Sequence, residues 1–303
     1  ILMTNFCLGF PLFMPPEVFY GQVLPATAIG LVIGNVYYAR QALQLAKRTG
    51  RNDVCALPYG ISIITLVAFT FLVMFPAKLV AQATGQNPEE AALTAWKAGC
   101  LAAFGNGLIE FCGSFAIRKI RDLTPRAALL AAVGGIGLTF VAMDSFYRIY
   151  AFPIVGFSTL AIAMIFYFGK IPMRFGLPPG VVLVAVGLSL CWIMHWFFDS
   201  NIVPVGSLMP EMVGLQIPRW VFGDILNVLP DMLPYLSIIL TMGLINVVLS
   251  MQNVESAEAA GDPYDPKSSL LFNGLGSMGA GLFGSPYPAT IYVGHPGWKG
   301  IGA

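Results

Sequence analysis

Charge is what this chain has least of. Only 10% of its 303 residues are Asp, Glu, Lys or Arg and the net charge is +1, against about 25% charged residues in an average soluble domain. That scarcity excludes an ordinary soluble domain, and the near-zero balance excludes the basic surface that a nucleic-acid partner requires. Histidine is reduced to His195 and His295. The five cysteines, Cys7, Cys55, Cys100, Cys112 and Cys191, are scattered through mostly apolar runs without a Cys-x-x-Cys pair. They read as small buried hydrophobes, not as a disulfide framework or a zinc site. There is no phosphate-binding loop, metal-ligand cluster or nucleophile with a base beside it, so the chain is not expected to be an enzyme or to hold a metal. The opening Ile1-Leu2-Met3 carries no basic segment. No signal peptide is expected, and the chain is expected to be truncated at both ends.

What is present is hydrophobic. Apolar residues make up 57% of the chain and the mean hydropathy is +0.76, which points to an all-α polytopic membrane protein. Apolar runs near the ~20 residues of a bilayer crossing place spans at residues 1 to 14 (the tail of a first), Tyr20 to Leu45, the Pro58 to Phe75 region, Ala92 to Ile117, Ala127 to Phe146, Phe152 to Phe168 and Val181 to Phe198. Asp199 to Asp224 mixes polar, Pro and apolar residues and divides the chain into halves, with Met212 to Phe222 read as an interfacial helix or irregular connection. An eighth span follows at Ile225 to Ser250, running on into Gln252-Asn253-Val254-Glu255, and a ninth at Ser269 to Phe283. Gly30 and Gly34 form a small-xxx-small face on the second span. Trp96, Trp192, Trp196 and Trp220 fit an interfacial aromatic belt.

Two stretches cannot be ordinary spanning helices. Ser285-Pro286-Tyr287-Pro288-Ala289-Thr290-Ile291-Tyr292-Val293-Gly294-His295-Pro296-Gly297 has two early prolines, a β-branched and aromatic run and then Gly-His-Pro-Gly. It spells an extended segment that breaks into a new helix. Cys55-Ala56-Leu57-Pro58-Tyr59-Gly60-Ile61-Ser62 has the same grammar ahead of the run Ile63 to Phe75. Each taken alone also reads as a Pro-kinked helix. Together, as third and tenth spans, they point to an inverted-repeat transporter whose half-helix starts face a solute.

Basic residues sort by connection. Arg40, Lys47, Arg48 and Arg51, then Arg118, Lys119, Arg121 and Arg126, then Lys170 and Arg174, then Lys267 fall in alternate connections, while the others hold only Lys78, Arg148 and Arg219, with Lys97 at a span end. The positive-inside rule then puts the N-terminal end on the cytoplasmic side.

Phe272-Asn273-Gly274-Leu275, Gly281-Leu282-Phe283-Gly284-Ser285, Thr290-Ile291-Tyr292 with Gly297, and Glu255-Ser256-Ala257 resemble signatures of the nucleobase:cation symporter and nucleobase–ascorbate transporter family, the xanthine/uracil permease class. The resemblance implies two inverted repeats of seven spans, present here in part, with short strands in the third and tenth spans. It implies a core domain of spans 1–4 at residues 1–126, a gate domain of spans 5–7 at 127–199, an extracellular connection at 200–224 and core spans 8–10 at 225–303. It also implies a small-molecule substrate of the nucleobase type, a coupling proton in place of any cofactor, elevator-type alternating access, a homodimer as the assembly and a bacterial inner membrane as the location. Inorganic anion transporters share that architecture, and a noncatalytic receptor or scaffold is the alternative of another class. Where members of the family carry a second acid in the tenth span, within Glu-Asn-x-Gly-Val, this chain has Gly294-His295-Pro296-Gly297-Trp298.

The substrate-binding set expected from residues and resemblance together is Glu255, His295, Gly294, Ser62, Ile63, Tyr59, Tyr292 and Asn253. Glu255 would accept a substrate N–H or carry a proton; the other reading puts it with Glu258, Asp262 and Asp265 in a solvated acidic loop. His295 sits where a helix start favours an anion or carbonyl, or is simply packed against backbone. Ser62 and Ile63 hold the matching place on the third span. Tyr59 and Tyr292 read equally as strand-packing residues and as stacking partners. Glu110, inside the fourth span, is expected to bond the backbone of a neighbouring helix.

Overall fold

A computed structural model describes residues 2–169, 179–198 and 216–300. Five of its helices are long and apolar enough to cross a membrane. The chain is a helical integral membrane protein that contains one very small sheet. Lys170 and Arg174, most of the 199–224 connection and the start of its 212–222 segment lie outside the described residues; the rest of that segment, 216–221, is irregular.

In the expected first span, α1 (Leu2–Leu8) is short. The chain then turns through Pro11, and the buried Lys78 ammonium donates to the carbonyls of Pro11 (3.3 Å) and Leu12 (2.6 Å). α2 (Pro16–Thr49) crosses in one piece and stops at Gly50, whose φ of +66° is the left-handed cap that glycine adopts without strain. The third span is broken as expected. Strand β1 (Tyr59–Ile61) leads directly into α3 (Ile63–Ala83). α4 (Pro88–Leu123) opens on Asn87-Pro88-Glu89-Glu90, in which Asn87 Oδ1 accepts the Glu90 N–H at 2.9 Å and Glu90 accepts the Asn87 N–H at 3.2 Å, a reciprocal cap with Pro at the first helical position.

Contacts divide the chain into two compact units, residues 1–133 with 210–303, and residues 134–209. α5 (Arg126–Ile136) runs out of the first into the second. The second also contains α6 (Met143–Ala151), α7 (Pro153–Phe168) and α8 (Pro179–Phe198), with α7 packed on α8. Phe152-Pro153 is where the helix breaks, since proline can start α7 but cannot continue α6.

In the first unit the chain resumes with the short α9 (Phe222–Leu226), then a 3₁₀ segment, Pro230–Tyr235. The eighth span therefore begins later than Ile225. Pro230 and Pro234 remove N–H donors from that stretch, and α10 (Leu236–Ala259) starts only beyond them. It also ends later than Ser250, so Glu255 is helical. Asp265 caps α11 (Pro266–Leu282) by accepting the Ser268 N–H at 2.9 Å. Burial pushes its carboxyl up, but the Ser268 bonds and Arg118 outweigh that and hold it below the usual aspartate range. β2 (Ala289–Ile291) and the half helix α12 (His295–Gly300) complete the described chain.

α11 is the axis of the first unit, packed against α4 and α2. At its crossing with α4, a Cβ on Gly107 would lie 2.7 Å from the Gly274 carbonyl oxygen, so only glycine lets these backbones approach so closely. Gly34 of α2 and Gly276 of α11 form a slot that the Tyr59 ring fills. Trp96 is not part of an interfacial belt: it is buried, and its indole N–H donates to the Gly284 carbonyl at 2.8 Å, tying α4 to the turn that leads into β2. Cys112 is exposed, unlike the buried Cys7, Cys55 and Cys100.

The slot makes a test. Gly34→Val should lower stability by about 1–3 kcal/mol through overpacking, and adding Tyr59→Ala should recover part of that loss in a thermal melt of the detergent-solubilised protein. Additive losses would mean that the ring does not fill the slot.

Candidate functional site

β1 and β2 pair antiparallel, Tyr59 opposite Ile291, Gly60 opposite Thr290 and Ile61 opposite Ala289. The register continues outward, because the Tyr292 N–H donates to the Pro58 carbonyl at 2.7 Å and the His295 ring meets the Cys55 carbonyl at 2.8 Å. Two segments from distant parts of the chain thus form one ribbon, and a helix departs from the C-terminal end of each strand.

The carbonyls of β2 that face away from β1 are satisfied by side chains of α10 and α11. Asn253 Nδ2 donates to the Ile291 carbonyl at 2.7 Å, and Ser277 Oγ donates to the Ala289 carbonyl at 2.7 Å. Thr290 Oγ1 bonds Ser250 Oγ at 3.0 Å and receives Asn273 Nδ2 at 3.3 Å. All of these residues are buried. Asn253 was expected to meet substrate, but its amide is committed to holding the strand. Ser250 and Ser277 were not foreseen. Asn246, Ser250 and Asn253 recur at helical spacing in an otherwise apolar span, and that spacing is the signal that identifies them.

Glu255 is 1% exposed on α10, and it does not stand free in a hollow. Its Oε1 pairs with Arg121 Nε and its Oε2 with Arg126 Nε at 3.3 Å, while Glu258 takes the same two guanidiniums at 2.6 and 3.9 Å. Two acids and two arginines neutralise one another where the end of α4, the start of α5 and the last turns of α10 meet. A buried carboxylate needs such partners, because without them ionisation costs several kcal/mol. The alternative reading, a solvated loop, is not what the structure has either.

His295 is also buried and engaged. Its Nε2 faces two acceptors, the Cys55 carbonyl at 2.8 Å and Asp262 Oδ2 at 3.3 Å, so Nε2 carries the proton. Asp262 is the hub here, fully buried and accepting from the Cys55 N–H (3.1 Å), Arg51 (3.2 Å) and Lys299 (2.6 Å). This knot anchors α12 to the α10–α11 loop and to the segment before β1. Asp262 was not among the expected site residues, because nothing in a lone Gly-Asp-Pro turn signals that two cations, an imidazole and a backbone N–H from elsewhere converge on it. Gly294 takes φ +124° at the break between β2 and α12, a conformation that resists any side chain.

The remaining expected residues divide by strand pleat. Tyr59 points into the Gly34–Gly276 slot and is a packing residue, not a stacking platform. Gly60, Ile61, Ile63, Tyr292 and Val293 are half-buried, and the Tyr292 ring lies over Gly60. Ser62 is buried and makes no side-chain cap to α3, so the first N–H groups of that helix have no side-chain partner. Of the eight expected residues, these leave Tyr292, Ile63 and the α3 start as the elements able to meet a solute. Among the described residues, no group of three or more His, Cys, Asp or Glu could hold a metal. No family model matches the chain, and no curated protein matches it either.

Asn253→Leu should leave the Ile291 carbonyl without its donor and cost about 1–3 kcal/mol. It should also speed backbone hydrogen exchange at residues 289–292 relative to α4. Unchanged exchange there would remove Asn253 from the role of clamp.

Proposed function

We propose that the chain is that of a membrane permease for a small, polar, nucleobase-like solute of the xanthine or uracil kind. The observation that carries this reading is the antiparallel meeting of two interrupted spans, β1–α3 and β2–α12, among membrane-spanning helices. Non-helical backbone inside a membrane protein is tolerated where protein buries it or where it lines a cavity, and paired broken spans are the pattern of inverted-repeat transporters. In this reading the two halves are partial copies of a seven-span repeat. Solute binds at the half-buried ribbon face near the α3 start, and the core carrying the ribbon moves against a gate formed by spans five to seven. The N-terminal end is cytoplasmic by the charge placement. Transport is coupled to protons and involves no catalysis.

An inorganic anion is the second reading, and one observation favours it. The one acid that the family resemblance assigns to substrate, Glu255, is taken by Arg121 and Arg126, and Gly294 stands where a second acid would be. Neither acid position of the family pattern then offers a free carboxylate to a nucleobase N–H, whereas helix-start N–H groups suit an anion equally well.

The full-length protein in proteoliposomes decides between these. Saturable uptake of labelled xanthine or uracil that is competed by other nucleobases and not by sulfate or bicarbonate is the expected result; the reverse pattern establishes the anion reading, and no uptake of any of them sinks the permease. Glu255→Gln and Arg121→Gln are compared in the same assay. Loss of uptake in the first alone assigns Glu255 to substrate, while parallel losses of uptake and stability in both assign it to the ion-pair cluster.

A further inference from the structure

Glu110 lies in the middle of α4 and is 0% exposed. It was expected to bond a neighbouring helix backbone, and it does not: neither carboxyl oxygen has a hydrogen-bond partner of good geometry, the Asn106 side-chain amide one turn before it is the donor close enough to act on it, and no Lys, Arg or His among the described residues pairs with it. The surroundings are polar and buried. α4 presents Asn106, Glu110 and Ser114 one turn apart, all fully buried. α10 contributes Asn246, whose Nδ2 donates to Asn106 Oδ1 at 3.0 Å, and α11 contributes Asn273. The titratable groups within electrostatic reach are the hydroxyls of Tyr38 on α2 and Tyr59 on β1. Tyr38 donates to the Ser269 carbonyl at 2.9 Å.

Acceptors outnumber donors along this seam. Asn246 Oδ1 and Asn273 Oδ1 lack donors and both oxygens of Glu110 lack one of good geometry, while the donors not already bonded are Asn106 Nδ2, which lies beside Glu110, and the Tyr59 hydroxyl, which lies beside Ser277. An ionised carboxylate here would add negative charge to a buried, acceptor-rich interior with no cation among the described residues to offset it, at a cost of several kcal/mol. The neutral acid removes that charge and supplies a donor O–H to a seam with two spare amide oxygens. A proton is therefore the ligand that these groups fit.

We propose that Glu110 is an intramembrane proton-binding site, and that this proton is the coupling ion. The second half rests on the permease reading; the first does not. The seam is joined to the ribbon through Asn273, which bonds both Thr290 and Ser250, and through Tyr59. Gain or loss of the Glu110 proton thus changes the donor balance of the groups that clamp β2, which gives the acid a route to the solute face without touching solute.

The test is infrared spectroscopy of the reconstituted full-length protein near neutral pH, together with transport. The wild type should show the C=O stretch of a protonated, dehydrated carboxylic acid, and Glu110→Gln, an uncharged isostere of the protonated form, should lose it. The same variant should retain solute exchange at equal pH on both sides and lose accumulation driven by a pH gradient. An infrared band unchanged in the variant overturns the site, and a lost band with gradient-driven accumulation intact overturns the coupling role. If the wild type takes up no solute at all, the permease reading fails while the infrared result still decides the protonation of Glu110.

Discussion

A strand buried among membrane-spanning helices has two edges of N–H and C=O groups, and each group left unpaired costs several kcal/mol. A helix meets this requirement within itself; β1 and β2 must find partners elsewhere. They take one edge from each other, and on β2 the carbonyls of Ala289 and Ile291 take donors from Ser277 and Asn253. Much of the first unit follows from that need. α10 and α11 must stand close to β2 to deliver these side chains, and α11 can do so only because Gly274 and Gly276 let α4 and Tyr59 approach its backbone. The glycine-rich character of the ninth span and the polar residues of the eighth are two sides of one requirement.

Charge is handled by the same logic at three places, with different outcomes. Glu255 and Glu258 are matched by Arg121 and Arg126, and Asp262 is matched by Arg51, Lys299 and the His295 ring. Both clusters join segments far apart in sequence. Buried pairs of this kind add little net stability over apolar packing, but removing one partner is costly, so they fix which segments meet. Glu110 has no such match, which separates it from the other buried acids and makes neutralisation by a proton the natural resolution.

The two breaks were legible in the sequence, and of the ten expected spans the second, third, fourth, seventh and eighth are helices long and apolar enough to cross a membrane among the described residues. Pro58-Tyr59-Gly60 and Pro288 through Gly294 exclude continuous helix by chemistry alone, and the strands fall inside those windows. The capping residues of α4 could be read from Asn87-Pro88-Glu89-Glu90. What escaped was partnership. The ion pairs of Glu255 are invisible in the sequence because its cations, Arg121 and Arg126, lie more than a hundred residues away, and an i, i+4 rule cannot find them. Trp96 looked like a belt residue because its acceptor, the Gly284 carbonyl, exists only once the turn before β2 has formed. The eighth span was started too early because hydropathy does not register that Pro230 and Pro234 remove donors.

These partnerships narrow how a solute could be recognised. Asn253, Glu255, His295 and Tyr59 were each attractive because polar groups within a span are expensive, and expense was read as function. In the folded chain the expense is met internally: an amide holds a strand, a carboxylate holds two arginines, an imidazole holds a loop, and the phenol ring fills a glycine slot. Groups committed in this way cannot also hydrogen-bond a ligand unless their partners are released. Recognition on the permease reading then falls to groups that are not committed: the uncapped N–H groups at the α3 start and the half-buried face where Tyr292 lies across Gly60. A flat ring with carbonyl edges suits both, since the tyrosine offers an aromatic face and the helix start offers donors. The chemistry of the site is then that of backbone and aromatic surface, with the side-chain acids acting around it.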